Sequence, residues 1–450
     1  MEKAEIPTPS ARAPSLGSPR SMELRERAHE LIPGGGHVYN KGDDQWPAGT
    51  PTALIRGEGC RVWDGEGNEF IEYNLGNRCV TLGYAYPEVV EAAQRQMLHG
   101  TAFTRPAAIE FDCAEQLLSL VGTAEMVKFT KDGSSATTAA LKLARAHTGR
   151  DLVALCGDHP FFSYDDWFIG TTEMSAGIPQ AIRDLSLTFR YNDIDSVRSL
   201  FDSHPGQIAC VILEAEREEP PRDGFLHELQ DLCAQNGALF VIDEMITGFR
   251  YHLGGVHEAF GLAPDLSTFG KGMANGFSLS ALVGRREIME LGGLRHSRER
   301  VFLLSTTHGA ETHALAAAIA TMAVYREQPV IEGLHEGGAR LRAGIEQVTA
   351  ELGLGEHFGV RGRDCNLVYF TRDSDGKPSQ PFRTLFLQEM LHRGFLVPSF
   401  VISYAHTERD IDLTVEAVAE SLGVYARALE EGVERHLRCP SVKPPYRRFN

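Results

Sequence analysis

The 450-residue chain has no apolar run near the roughly 18 residues that a membrane-spanning helix requires, so no such helix is expected. Its eight cysteines show no CxxC spacing. That argues against a zinc site or a disulfide framework and points to a reducing, cytoplasmic setting. Positive charge is also short. Against 61 Asp and Glu stand 44 Lys and Arg, a net charge of −17, which argues against a nucleic acid or an anionic membrane as partner and suits a cationic substrate. Lys3, Arg12 and Arg20 lie among Pro and Ser with no apolar stretch behind them, the pattern of a flexible leader rather than a secretion signal. Nothing in the balance of 42% hydrophobic and 23% charged residues departs from an ordinary globular protein.

What is present centres on two short stretches. Leu239-Phe240-Val241-Ile242-Asp243-Glu244 is an apolar, β-branched run ending on a carboxylate, the mark of a buried strand whose tip delivers Asp243. Leu266 to Phe269 reads as a second strand, and Gly270-Lys271-Gly272 follows it. Alone, a strand-end Asp is often a cap and a lysine is mostly a solvated surface residue. Together they match what pyridoxal phosphate (PLP) requires: an amine to form a Schiff base with the aldehyde, and an acid to keep the pyridine nitrogen protonated.

The strings Val241-Ile242-Asp243-Glu244-Met245-Ile246-Thr247-Gly248-Phe249-Arg250 and Ala263-Pro264-Asp265-Leu266-Ser267-Thr268-Phe269-Gly270-Lys271 resemble those of class III aminotransferases of fold type I. Nearest in pattern is the branch containing glutamate-1-semialdehyde aminomutase, and the likeness runs from about Leu24 to about Leu422. It implies an α/β fold: a mostly parallel sheet flanked by helices, with a smaller α+β C-terminal domain. Residues 1–21 are expected as leader and 22–82 as an N-terminal segment of helix, entrance loop and hairpin. A large cofactor domain is expected at 83–328, the small domain at 329–438 and an extended tail at 439–450.

A phosphate site is legible in the residues themselves. Val127-Lys128-Phe129-Thr130 reads as a strand, Lys131-Asp132-Gly133-Ser134-Ser135 as a small-residue turn, and an alanine-rich helix follows. Free N–H groups and the positive helix end converge in such a turn, although a plain serine-capped βα turn has the same look. The family pattern here is usually Asn-Ser-Gly-Thr/Ser-Glu-Ala, so the resemblance carries phosphate binding to Gly133 and Ser134, with Ser135 as helper.

By the same resemblance His159 takes the place of the aromatic residue that stacks on the cofactor, and Glu214 lies near the pyridine ring. Thr307, with Thr306 beside it, reaches the phosphate of a neighbouring subunit, which implies a homodimer with shared sites; a threonine N-cap of the next helix is the bland alternative. His37, Tyr39 and Lys41 in the entrance loop, Asn77 and Arg78 at the site mouth, and Glu216 are candidate substrate contacts. Arg78 suits a carboxylate, or a structural ion pair.

Ser399 to Thr407 lacks the acidic gating loop of the aminomutase, so transfer between two molecules is expected. An amino acid donor, by family habit L-glutamate, would aminate an aldehyde or ketone. The entrance loop and the tail Lys443 to Asn450 resemble enzymes of aminoglycoside biosynthesis, which makes an oxidised aminoglycoside sugar a candidate acceptor. An aminomutase, a PLP-dependent epimerase and a cofactor-binding regulator are the other readings.

Overall fold

The computed structural model describes residues 17–222 and 224–449, so most of the expected leader lies outside the described residues. The chain divides into two compact units. Unit 1 holds the residues up to Asn77, Leu82–Tyr86 and Glu332–Arg447. It starts with helix Pro19–Leu31, capped by Ser18, whose hydroxyl accepts from Ser21 N at 3.1 Å. Ser18 takes the cap because Pro19 has the φ a helix needs and no N–H to leave unpaired in the first turn. Strands β1 (Leu54–Glu58), β2 (Arg61–Asp64) and β3 (Glu69–Glu72) then form an antiparallel meander. Asp64 Oδ1 fixes the turn by accepting from Glu66 N and Asn68 N, each at 2.9 Å.

Unit 2 holds Arg78–Thr81, Pro87–Ile331 and Arg448–Asn450. Its seven strands are β4 (Met126–Thr130), β5 (Leu152–Cys156), β6 (Ser186–Phe189), β7 (Ile208–Leu213), β8 (Leu239–Asp243), β9 (Leu266–Phe269) and β10 (Ser280–Gly284). Their order in the sheet is β4-β10-β9-β8-β7-β5-β6. From β6 to β9 all pairings are parallel, while β10 runs antiparallel to both β9 and β4. Every residue of β7, β8 and β9 is buried, which is why these strands read as continuous apolar runs rather than alternating ones. Helix Gly133–Thr148 packs against several of them, and its buried Ala136, Ala139, Ala140 and Ala144 permit a close approach.

The chain then returns to unit 1 with β11 (Phe358–Arg361), β12 (Asn366–Thr371), β13 (Phe395–Leu396) and β14 (Phe400–Val401). β13 extends the first meander by pairing parallel with β3, and β11, β12 and β14 form an antiparallel sheet. Helices Gln380–His392 and Glu408–Glu431 complete this α+β unit with most of Val330–Glu351. Among the described residues no helix is long and apolar enough to cross a membrane.

Candidate active site

Because β4 and β9 are both antiparallel to β10, the carboxyl ends of β4, β5, β7, β8 and β9 line one edge of the sheet. Such an edge is where ligands bind in open α/β sheets. Register brings the functional side chains together there. Asp243 pairs with Thr268, three residues before Lys271, and Leu213 pairs with Ile242, which sets Glu214 beside Asp243.

Asp243 is buried, and its Oδ1 accepts from Met245 N and Thr268 Oγ1, both at 2.9 Å. Burial, then the charge of Glu214, pushes its carboxyl up to about 7, against the pull of Lys271 and the two hydrogen bonds. Lys271 starts a 3₁₀ turn with φ +44°. Burial lowers its pKa, and so do the charges of Arg78 and Arg217, while Asp243 and Glu214 work the other way. Lowering it in this way favours the neutral amine, the form that accepts a proton.

Glu214 is 2% exposed; its Oε1 pairs with Arg217 Nη1 at 2.8 Å, while its Oε2 is buried without a partner among the described residues. Burial works against the Arg217 charge, yet Glu214 beside it leaves the pKa raised. His159 is buried as well. Its Nδ1 accepts from Glu214 N at 3.2 Å, and its ring packs 5.1 Å from Tyr191 and 5.9 Å from Phe162. Burial holds it down to about 4, so this imidazole is neutral at physiological pH. Glu216 is buried in the segment after β7, where Tyr191 Oη donates to Ala215 O at 2.7 Å.

At the end of β4, helix Gly133–Thr148 is capped by Asp132 rather than by a serine. Asp132 accepts Ser135 N at 2.8 Å and the Ser135 hydroxyl at 3.1 Å, so Ser135 is committed to the cap. Ser134 Oγ accepts Tyr164 N at 3.0 Å, and the N–H groups of Gly133 and Ser134 remain as helix-end donors. A Cβ on Gly133 would sit 3.0 Å from Met245 Sδ, which favours glycine here. Thr306 and Thr307 are exposed in a turn ahead of helix Thr312–Glu327, whose N-cap is Glu311; neither threonine caps it. Glu311 instead binds Lys131 Nζ at 2.6 Å, tying this helix to the turn after β4.

The segment after β3 is a left-handed turn. Leu75, Gly76, Asn77 and Arg78 all have positive φ, from +49° to +71°. A left-handed conformation costs a non-glycine residue roughly 1–2 kcal/mol. Fixed partners hold it. Glu72 accepts Asn74 N and Leu75 N at 2.8 and 2.7 Å, and fully buried Arg250 donates to Arg78 O at 2.8 Å. Burial pushes the Arg78 guanidinium down to about 10, with Arg217 and Arg250 adding to that effect. Asn77 belongs to unit 1, where its Oδ1 accepts from Asn74 at 2.8 Å. His37, Tyr39 and Lys41 are also in unit 1, among short 3₁₀ turns. Lys41, with Asp43, Trp46, Glu72 and Asn74, lines a cavity of about 480 Å³; His37 and Tyr39 do not.

Pattern reading passed over Arg217, Arg250, Asp132 and Thr268. Arg217 carried one visible signal, an opposite charge three residues after a strand-end glutamate.

A sheet of this topology, with a strand-end lysine, a buried acid and a helix N-terminus along one edge, defines a fold type I PLP-dependent transferase. The FumI protein of Sphingopyxis sp. MTA144, solved with PLP, superposes with a TM-score of 0.83 at 30% identity, over 94% of this chain and 99% of that one. An omega-transaminase from Sphaerobacter thermophilus does so with a TM-score of 0.82 at 25% identity, over 90% and 98%. The class III aminotransferase family model matches residues 44–363. A 3-aminobutyryl-CoA aminotransferase of Cloacimonas acidaminovorans (strain Evry) is 31% identical over 426 residues, 93% of this chain and 100% of the relative. A glutamate-1-semialdehyde 2,1-aminomutase of Acetivibrio thermocellus is 33% identical over 428 residues, 89% and 97%. The chain therefore belongs to the class III aminotransferases and is a PLP-dependent enzyme.

Proposed function

We propose that Lys271 is the residue that bonds PLP and carries the proton between the substrate carbon and the cofactor's C4′, in transfer from an amino acid donor to an aldehyde or ketone. What carries this reading is the clustering of Lys271, Asp243 and Glu214 with Arg78 and Arg217. The residues suit the cofactor. Asp243, pushed toward its neutral form by burial in the free chain, is an acid whose charge a protonated ring nitrogen would restore. Glu214 keeps one buried oxygen for an arriving donor. Gly133 and Ser134 offer N–H groups to a phosphate, with Ser135 behind them through Asp132. His159, neutral and held by Glu214 N, presents a ring face for stacking. When bound, PLP supplies the carbonyl that carries the amine and the ring that stores the electron pair.

The two guanidinium groups suit a carboxylate on the donor, and L-glutamate is the first candidate. Arg78 binds that carboxylate, with Glu216 and Asn77 as further contacts. Thr307 and Thr306 complete the phosphate site of a partner subunit in a homodimer. The acceptor proposed is an oxidised aminoglycoside. Supporting it is the net charge of −17, which suits a polycationic substrate. His37, Tyr39 and Lys41 are its proposed contacts.

The test is the absorption spectrum of the purified holoenzyme with and without L-glutamate. A band near ~420 nm should give way to one near ~330 nm, as the amine passes to the cofactor. An oxidised aminoglycoside should then restore the first band, and simple ω-keto acids should not. The relatives named as aminomutases favour a second reading, intramolecular transfer. It predicts product from glutamate semialdehyde without any donor.

A further inference from the structure

Arg250 is 1% exposed, and its Nη2 donates to the backbone oxygen of Arg78 at 2.8 Å and to Thr81 Oγ1 at 3.1 Å. A buried guanidinium is costly, and a residue needed only to fill space would be better served by an apolar side chain. Both Nη2 contacts fall on one short segment, Arg78–Thr81, one on a carbonyl and one on a hydroxyl. That segment begins at the last residue of the left-handed turn, where Arg78 has φ +71°.

The backbone beside it is strained. Phe249, the residue before it, has φ +59°, accepts Tyr325 Oη at 2.6 Å through its carbonyl and donates its N–H to His252 O at 3.1 Å. The same segment abuts the turn that carries Lys271. A Cβ on Gly272 would lie 2.6 Å from Thr81 Oγ1 and 3.4 Å from Phe249 Cβ. The loop after the Asp243 strand, the Arg78–Thr81 segment and the Lys271 turn thus share one contact region.

We propose that Arg250 is a positioning residue for the anion subsite: its grip on Arg78 O and Thr81 holds residue 78 left-handed and keeps the Arg78 guanidinium within the Lys271–Glu214–Arg217 charge cluster. The inference rests on the assignment of Arg78 to the donor carboxylate made above. A right-handed residue 78 would direct its Cα–Cβ bond elsewhere, so loss of the grip removes Arg78 from the subsite without touching Lys271 or Asp243. Lysine does not replace arginine here: both contacts come from Nη2, and a lysine side chain ends one bond short of that nitrogen's place.

The experiment compares holoenzyme of Arg250→Lys, Arg78→Gln and the double variant with wild type, using L-glutamate as donor. Arg250→Lys and Arg78→Gln should each raise KM roughly tenfold or more, as loss of a charge-assisted contact does, with the cofactor band retained and any fall in kcat the same in both, since each takes the Arg78 charge away from Lys271. The double variant should be no worse than Arg78→Gln alone, since both remove one interaction. Thr81→Val, which strips Arg250 of one anchor, should move KM the same way by a smaller factor and covers the case in which Arg250→Lys does not fold. A KM raised by Arg78→Gln but not by Arg250→Lys or Thr81→Val, or effects that multiply in the double variant, overturns the positioning role alone. A KM that Arg78→Gln leaves unchanged, or a wild type that ignores L-glutamate, overturns the carboxylate assignment and this inference with it.

Discussion

Two carboxylates from neighbouring strands meet in a buried site, and each is balanced by a different cation. Glu214 has Arg217 at 2.8 Å, whereas Asp243 has two hydrogen bonds on one oxygen and the distant pull of Lys271. Like charge and burial drive Asp243 toward its neutral form, and on the proposed reading the ring nitrogen of PLP restores the charge. Asp243→Asn keeps the shape and the Thr268 bond but cannot pair with a cationic ring. Its kcat should fall by on the order of 10²–10³, the loss seen when one preorganised electrostatic partner is removed, with PLP still bound. A fall of less than tenfold would leave the ring nitrogen to another partner. Asp243 and Lys271 were legible because strand patterning delivers a residue to a known edge from local sequence alone. Arg217 and Arg250 were not, since what each does depends on partners brought in by the fold.

At the scale of elements, strain shows where local preference has been overruled. Asn77 tolerates the left-handed conformation, but no propensity predicts Leu75 and Arg78 in it; partners specified elsewhere impose it. A helix start differs for a milder reason. Asp132, not a serine, caps Gly133–Thr148, because the length of the turn after β4 sets the first helical residue. The seven-stranded sheet was largely legible, since its buried strands carry unbroken apolar runs.

Glu72 gives the left-handed turn a pH dependence. Burial pushes its carboxyl up to about 7 from an ordinary 4.5, despite hydrogen bonds from Tyr84 Oη, Leu75 N and Asn74 N. Between those values the folded chain holds a proton that the unfolded chain has released. The stability this confers is complete below pH 4.5 and is lost as pH rises through about 7. Glu72→Gln cannot ionise, so the Tm of the variant should decline less than that of wild type across this window. Parallel Tm curves would show that Glu72 ionises at its ordinary pH.

For the whole molecule, the proposal that each site draws on two chains makes a quantitative demand. Thr306 and Thr307 are exposed in the single chain, while Lys131, at the start of the turn after β4, reaches back to Glu311 at the cap of the helix that follows those threonines. If the threonines serve the partner's phosphate, a Lys271→Ala chain and a Thr306→Ala/Thr307→Ala chain fail for reasons located in different sites. Random mixing makes half of the dimers hybrid, and each hybrid has one site free of both changes. Refolded mixtures should therefore recover about a quarter of wild-type activity at limiting PLP, as expected for a closed two-fold dimer. Recovery in proportion to the residual activities of the separate variants would place the threonines in the same chain's site, or outside any site.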